Sequence, residues 1–193
     1  MNNRTSLILT ALLLASPATT LAAGETVLRD KTLVAWVAPA NLTQRGGSVL
    51  TMDDRQSHFD GIVFGELAPA RWMAGSDFHR RTEKKQDGWP AETADANTVV
   101  QIAIVYRGNE VTVYRNGREY SRHTIKSAQT FGADSVVIIG PRHLEGMQDR
   151  FAGAVDDARI YDRALSTEQI AALKPKPAPN NETAPGRGPG SRR

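Results

Sequence analysis

The chain has 193 residues, 40% of them hydrophobic, with 24 Lys+Arg against 21 Asp+Glu and no cysteine. Without cysteine there can be no disulfide, no thiol nucleophile and no Cys-ligated zinc. The sequence pI of about 9.4 belongs to the ends of the chain: between residues 24 and 173 there are 18 basic and 20 acidic residues, so the middle lacks the basic excess that a nucleic-acid binder needs.

In chain order, Arg4 precedes the apolar run Leu7–Ala15, and small residues follow up to Ala22-Ala23. This is the pattern of an export signal, too short to span a bilayer, which takes about 20 apolar residues. Residues 1–23 are therefore expected to be cleaved, leaving a secreted or periplasmic product with no membrane association. Residues 24–173 suffice for a single core without staples.

The body reads as strands. Thr32–Ala38, Ser48–Met52, Gly61–Glu66 and Arg71–Ala74 are short, β-branched or aromatic, and bounded by turn residues. Thr98–Tyr106 is a longer strand, and Glu110–Arg115 alternates, with Val111 and Val113 on one face. Asn116-Gly117 suits a two-residue type I′ hairpin, because both positions need positive φ. Glu119–Ile125 returns as its partner, and Ser135–Ile139 and Phe151–Tyr161 complete the set. Antiparallel strands at this spacing predict a sandwich or barrel.

Ser166 and Gln169 form a capping-box pattern before Ile170, and Pro175 stops the helix after a turn or so. From Lys174 the sequence KPKPAPNNETAPGRGPGSRR has no apolar period and reads as a Pro/Gly-rich linker or disordered tail over 174–193. Phe78–Ala96 is polar and aperiodic, and a loop of that length in a compact domain is expected to be functional or mobile.

The C-terminal half resembles a known family. Val111-Thr-Val-Tyr-Arg-Asn-Gly117, Val136–Gly140 and above all Phe151-Ala-Gly153-Ala-Val-Asp156-Asp157-Ala-Arg-Ile-Tyr161 with Arg163-Ala-Leu-Ser166 and Glu168-Gln-Ile170 are similar to the motifs of laminin-G-like domains. Thr32–Val37 resembles their opening strand. The resemblance implies an all-β, antiparallel two-sheet jelly-roll sandwich of the concanavalin A-like lectin/glucanase superfamily with one short C-terminal helical turn. More narrowly, it is similar to modules that precede glycoside hydrolase family 32 (fructan-acting) enzymes in bacterial secreted proteins. It implies a carbohydrate-binding accessory role with a polysaccharide or oligosaccharide, and an associated hydrolase domain, as partners; the alternatives are a protein-interaction module and a domain that packs on a separately encoded hydrolase.

An active glucanase of this fold carries an E-x-D-x-x-E strand, since alternate residues share a face and retaining hydrolysis needs two carboxylates close together. No such pattern is present, and Asp156-Asp157 and Asp53-Asp54 are adjacent pairs pointing to opposite faces. The chain is therefore expected to be non-catalytic. For sugar binding, an aromatic platform with planar polar neighbours is required. Trp36 belongs to the apolar opening strand and is expected in the core. Trp72 suits core or surface. Trp89, in polar surroundings, is either a loop anchor or a ligand platform. His79, Arg80 and Arg81 share its loop and read either as a solvated basic turn or as the candidate hydroxyl partners. Calcium, the family's common ion, is the one cofactor the resemblance raises. Asp156, at the signature position, is the candidate ligand, its alternative role being to tie the closing strand to a loop. The acidic stretch Asp53, Asp54 and Asp60 reads as a turn or a cage. Asn41-Leu-Thr43 and Asn181-Glu-Thr183 fit the N-glycosylation pattern.

Overall fold

A computed structural model of the chain describes residues 27–144 and 150–177; the expected signal segment, Asn181 and most of the Pro/Gly-rich tail lie outside them. Nine strands form: β1 (Lys31–Pro39), β2 (Gly47–Asp53), β3 (Phe59–Phe64), β4 (Trp72–Ser76), β5 (Val100–Arg107), β6 (Glu110–Arg115), β7 (Arg118–Thr124), β8 (Val136–Gly140) and β9 (Gly153–Tyr161), followed by α1 (Thr167–Ala172). They make two antiparallel sheets in the orders β7-β6-β5-β1-β9 and β4-β3-β2-β8. The architecture is the expected two-sheet sandwich with one short C-terminal helix.

The main core lies between the sheets. Leu33, Ala35 and Val37 of β1 and Ile102, Ile104 and Tyr106 of β5 face Leu50, Met52, Ile62, Phe64, Trp72 and Ala74. The other face of β1 and β5 is apolar too. Val34, Trp36, Ala103 and Val105 pack with Tyr114 beneath Leu165 and Ile170. A strand covered on both faces loses its polar alternation, which explains the unbroken apolar run in β1.

Local signals place the connections. Asn116 (φ 49°) and Gly117 (φ 75°) make the β6–β7 turn, and Asn116 Oδ1 accepts from the Gln101 N–H at 2.8 Å. Glycine is also required at 117 for space, because a Cβ there would lie 2.7 Å from the Ala171 Cα of α1. The Ser166 hydroxyl accepts from the Gln169 N–H (3.3 Å), and Gln169 Oε1 accepts from the Ser166 N–H (2.8 Å), completing the capping box.

The aperiodic loop after β4 is pinned. Glu92 is buried and accepts from the Trp72 indole (2.7 Å), from Arg115 Nε (2.8 Å) and Nη2 (2.6 Å), and from the Thr93 and Ala94 N–H groups (2.9 and 2.8 Å). Burial alone would raise its pKa, but the Arg115, Ala94 and Trp72 bonds prevail and lower it from 4.5 to about 2. One carboxylate with five donors does for this loop what hydrophobic periodicity does for a strand.

Candidate functional site

At one end of the four-stranded sheet, β2 stops at Asp53, β3 begins at Phe59 and β4 stops at Ser76. The turns leaving these strands, together with the Pro141–Leu144 stretch after β8, surround a cavity of about 400 Å³. Arg55 and Ser57 come from the β2–β3 turn, Phe78 and His79 from the turn after β4, and Arg142 and His143 from beyond β8. His143 lies against the Phe59 ring, with centroids 5.7 Å apart.

Backbone strain gathers here. Among the described residues, seven non-glycine residues have positive φ, and four of them line this cavity: Arg55 (60°), Ser57 (71°), Phe78 (48°) and His79 (54°). A non-glycine residue in the left-handed region costs about 1–3 kcal/mol and persists only where its surroundings impose it. Phe78 is also 79% exposed, the most exposed large hydrophobic residue among those described.

Two sets of bonds impose that geometry. In the β2–β3 turn, Asp53 Oδ1 accepts from the Arg55 N–H (2.7 Å), Asp54 Oδ1 from the Gln56 and His58 N–H groups (2.7 and 3.1 Å), and Asp54 Oδ2 pairs with His58 Nδ1 (2.7 Å). Burial would raise the Asp54 pKa, but these donors outweigh it and lower it. The acidic stretch is thus a turn. After β4, Arg81 donates to Asp60 Oδ1 (2.7 Å), Asp77 Oδ1 (2.5 Å) and the Phe59 carbonyl (2.9 Å), while its N–H reaches Ser76 Oγ (2.8 Å). Asp60 is in turn paired with Lys31 of the other sheet at 2.9 Å, all four charged groups being buried. Burial opposes the Arg81 charge, but Asp60 and Asp77 more than restore it, so its pKa is raised.

The sequence-predicted residues separate. His79 lines the cavity. Arg80 is exposed beside it, its guanidinium 5.4 Å from the Phe78 ring and 3.5 Å from Asp77. Arg81 is buried, with its Nε and Nη2 bonded to Asp60, Asp77 and the Phe59 carbonyl, so its part is to hold the turn. Trp72 is 0% exposed, packed on Phe64 (centroids 4.5 Å apart) with its N–H on Glu92, and offers no surface to a ligand. Trp89 packs on Tyr120 and His123 of β7, at 6.0 and 6.5 Å between centroids, and is not among the cavity's residues. Trp36 is buried, under α1.

Asp156 is exposed on β9, with no side-chain bond to a loop among the described residues. Among the described residues no three His, Asp or Glu side chains gather as a metal-holding group. Asp156 is thus in no carboxylate or imidazole cluster among the described residues, and calcium would need six to eight oxygens there. Phe78, Glu66, Arg142 and His143 were not singled out from sequence. The one signal was Phe78, a lone aromatic between charged residues at the mouth of a polar loop.

The chain belongs to the concanavalin A-like lectin/glucanases superfamily, whose laminin-G-type family model matches residues 15–171. No curated protein matches the sequence. Among solved structures it is similar to domain 4 of AbnA, a family 43 extracellular arabinanase from Geobacillus stearothermophilus, in complex with arabinotriose (20% identity, TM-score 0.56). That match covers 75% of this chain and 66% of the other, just under two thirds of its length. It is also similar to the heptameric SAP-like pentraxin of Limulus polyphemus (16% identity, TM-score 0.56, covering 76% and 70%). A third similar structure is the CBM40 of the Ruminococcus gnavus IT-sialidase (14% identity, TM-score 0.53, covering 75% and 82%), also solved bound to α2,3-sialyllactose. At these identities the likeness is one of fold.

Proposed function

We propose that this member of the superfamily is an exported, non-catalytic carbohydrate-binding module whose sugar site is the cavity beside Phe78. The observation that carries the reading is an exposed aromatic ring held in a strained turn at a cavity lined by both donors and acceptors. A ring face suits the apolar face of a pyranose or furanose, and His79, His143, Ser57 and Asp53 supply the polar groups that hydroxyls need. Arg80 stands at the rim. The domains bound to arabinotriose and sialyllactose support the reading by fold. The link to fructan-acting family 32 enzymes rests on the sequence resemblance alone. The non-catalytic reading is supported by the missing E-x-D-x-x-E strand and by Asp77, whose carboxylate is engaged by Arg81.

Calorimetry with arabinotriose, α2,3-sialyllactose, inulin, levan and β-glucan, with and without calcium, tests it. Binding to at least one is expected, with Phe78→Ala weakening it about tenfold or more while stability moves by less than about 0.5 kcal/mol. Silence across the panel sinks the proposal. A protein-docking reading is favoured by one other observation: edge strand β8 carries no charge, and its Val137 and Ile139 are more than half exposed.

A further inference from the structure

Glu66 is not itself a lining residue of the cavity, but it ties together two of the segments that line it. It lies two residues beyond β3, with its side chain mostly buried. Its Oε1 accepts from His79 Nε2 at 3.2 Å and also from Arg142 Nη1. His79 belongs to the turn that presents Phe78, and Arg142 to the stretch after β8. The main chain at Glu66 is fixed as well: its carbonyl accepts from Arg45 Nη2 (2.9 Å), and the preceding Gly65 N–H donates to the Arg71 carbonyl (2.8 Å). Glu66 is therefore not a surface acid that swings in solvent. It is a fixed acceptor for two segments that are far apart in sequence.

We infer that Glu66 is the positioning residue that closes the cavity on this side, and that the site consequently takes the terminal unit of a glycan rather than the interior of a chain. The second half of this rests on the carbohydrate reading above. A polysaccharide running through the site would need an entrance and an exit. On this side His79 and Arg142, both of which line the cavity, are tied to one another through Glu66. A volume of about 400 Å³ is near the small end of ligand cavities.

Two measurements separate the two halves. The first needs no ligand: limited trypsin digestion, following cleavage after Arg142 in the wild type, Glu66→Gln and Glu66→Ala. The Gln carbonyl still accepts both hydrogen bonds, so that variant is expected to resist like the wild type. Glu66→Ala is expected to be cut about tenfold faster through local opening, at an unchanged melting temperature. Equal rates in all three overturn the positioning role. The second compares the trisaccharide and the polymer of each panel glycan at equal concentrations of chain ends. Equal affinity is expected, with Glu66→Ala weakening both and Glu66→Gln restoring them. Tighter binding of the polymer by about tenfold or more overturns the chain-end assignment. Wild-type protein that binds nothing overturns the carbohydrate reading and the chain-end assignment with it, while the digestion still decides the role of Glu66.

Discussion

On the five-stranded sheet, Val34, Trp36, Ala103, Val105 and Tyr114 lie beneath Leu165 and Ile170, and a capping box nearby satisfies the start of the helix that covers them. At the end of the four-stranded sheet no helix among the described residues closes over the turns, and four strained residues line a cavity instead. The covered face uses ordinary backbone and local bonds. The open end depends on long-range ionic ties, Asp60 to Arg81 and Glu66 to Arg142, to hold a geometry the local sequence does not favour. Strain of this kind, imposed by long-range ties, is what a site built before its ligand arrives requires.

The contrast can be broken at several points. The largest effect is expected at Arg81→Met, which leaves Asp77 and part of Asp60 buried without their guanidinium and should cost about 3–5 kcal/mol in urea unfolding. A loss below about 1 kcal/mol would mean that packing, not charge, holds the Phe78 turn. Next comes Ile170→Ala, expected to lose about 2–4 kcal/mol by opening the second core. Glycan affinity should be untouched, and a parallel fall in affinity would show that the two regions are not independent.

Glu92 joins the long loop to the core, and its titration reports on that joint. Its folded pKa of about 2 lies below the ordinary 4.5. Its contribution is therefore complete above pH 4.5 and is lost as the pH falls toward 2. With partner Arg115 30% exposed and so partly screened, the amount is about 2 kcal/mol. Glu92→Gln should flatten the acid limb of a stability–pH profile, and an unchanged limb would count against the joint. The smallest effect is Ser57→Gly, which relieves a left-handed residue and should stabilise by about 0.5–1 kcal/mol while weakening glycan binding. Destabilisation would show that the turn's conformation is not strained.

The strands were legible because alternation and turn chemistry are local. Val111 and Val113 share a face by geometry alone, and Asn116-Gly117 needs only its own two φ angles. The site was legible only in part. His79 lines the cavity and Arg80 flanks the Phe78 ring, both in the polar loop that follows β4. Arg81, their neighbour in sequence, points instead into the buried charge chain with Lys31 and Asp60. Trp72 and Trp89 show the same limit. A tryptophan's burial depends on what lies across from it, here Phe64 and Glu92 for one and Tyr120 for the other.

The sequence by itself determined the sandwich, its hairpin and its capped terminal helix, since each follows from residue spacing within a few positions of the chain. Only the tertiary structure brought the surroundings of the candidate cavity together. Glu66, His79 and Arg142 come from three connections and converge through side-chain bonds, and no short-range pattern encodes a convergence that packing of two sheets and their loops creates.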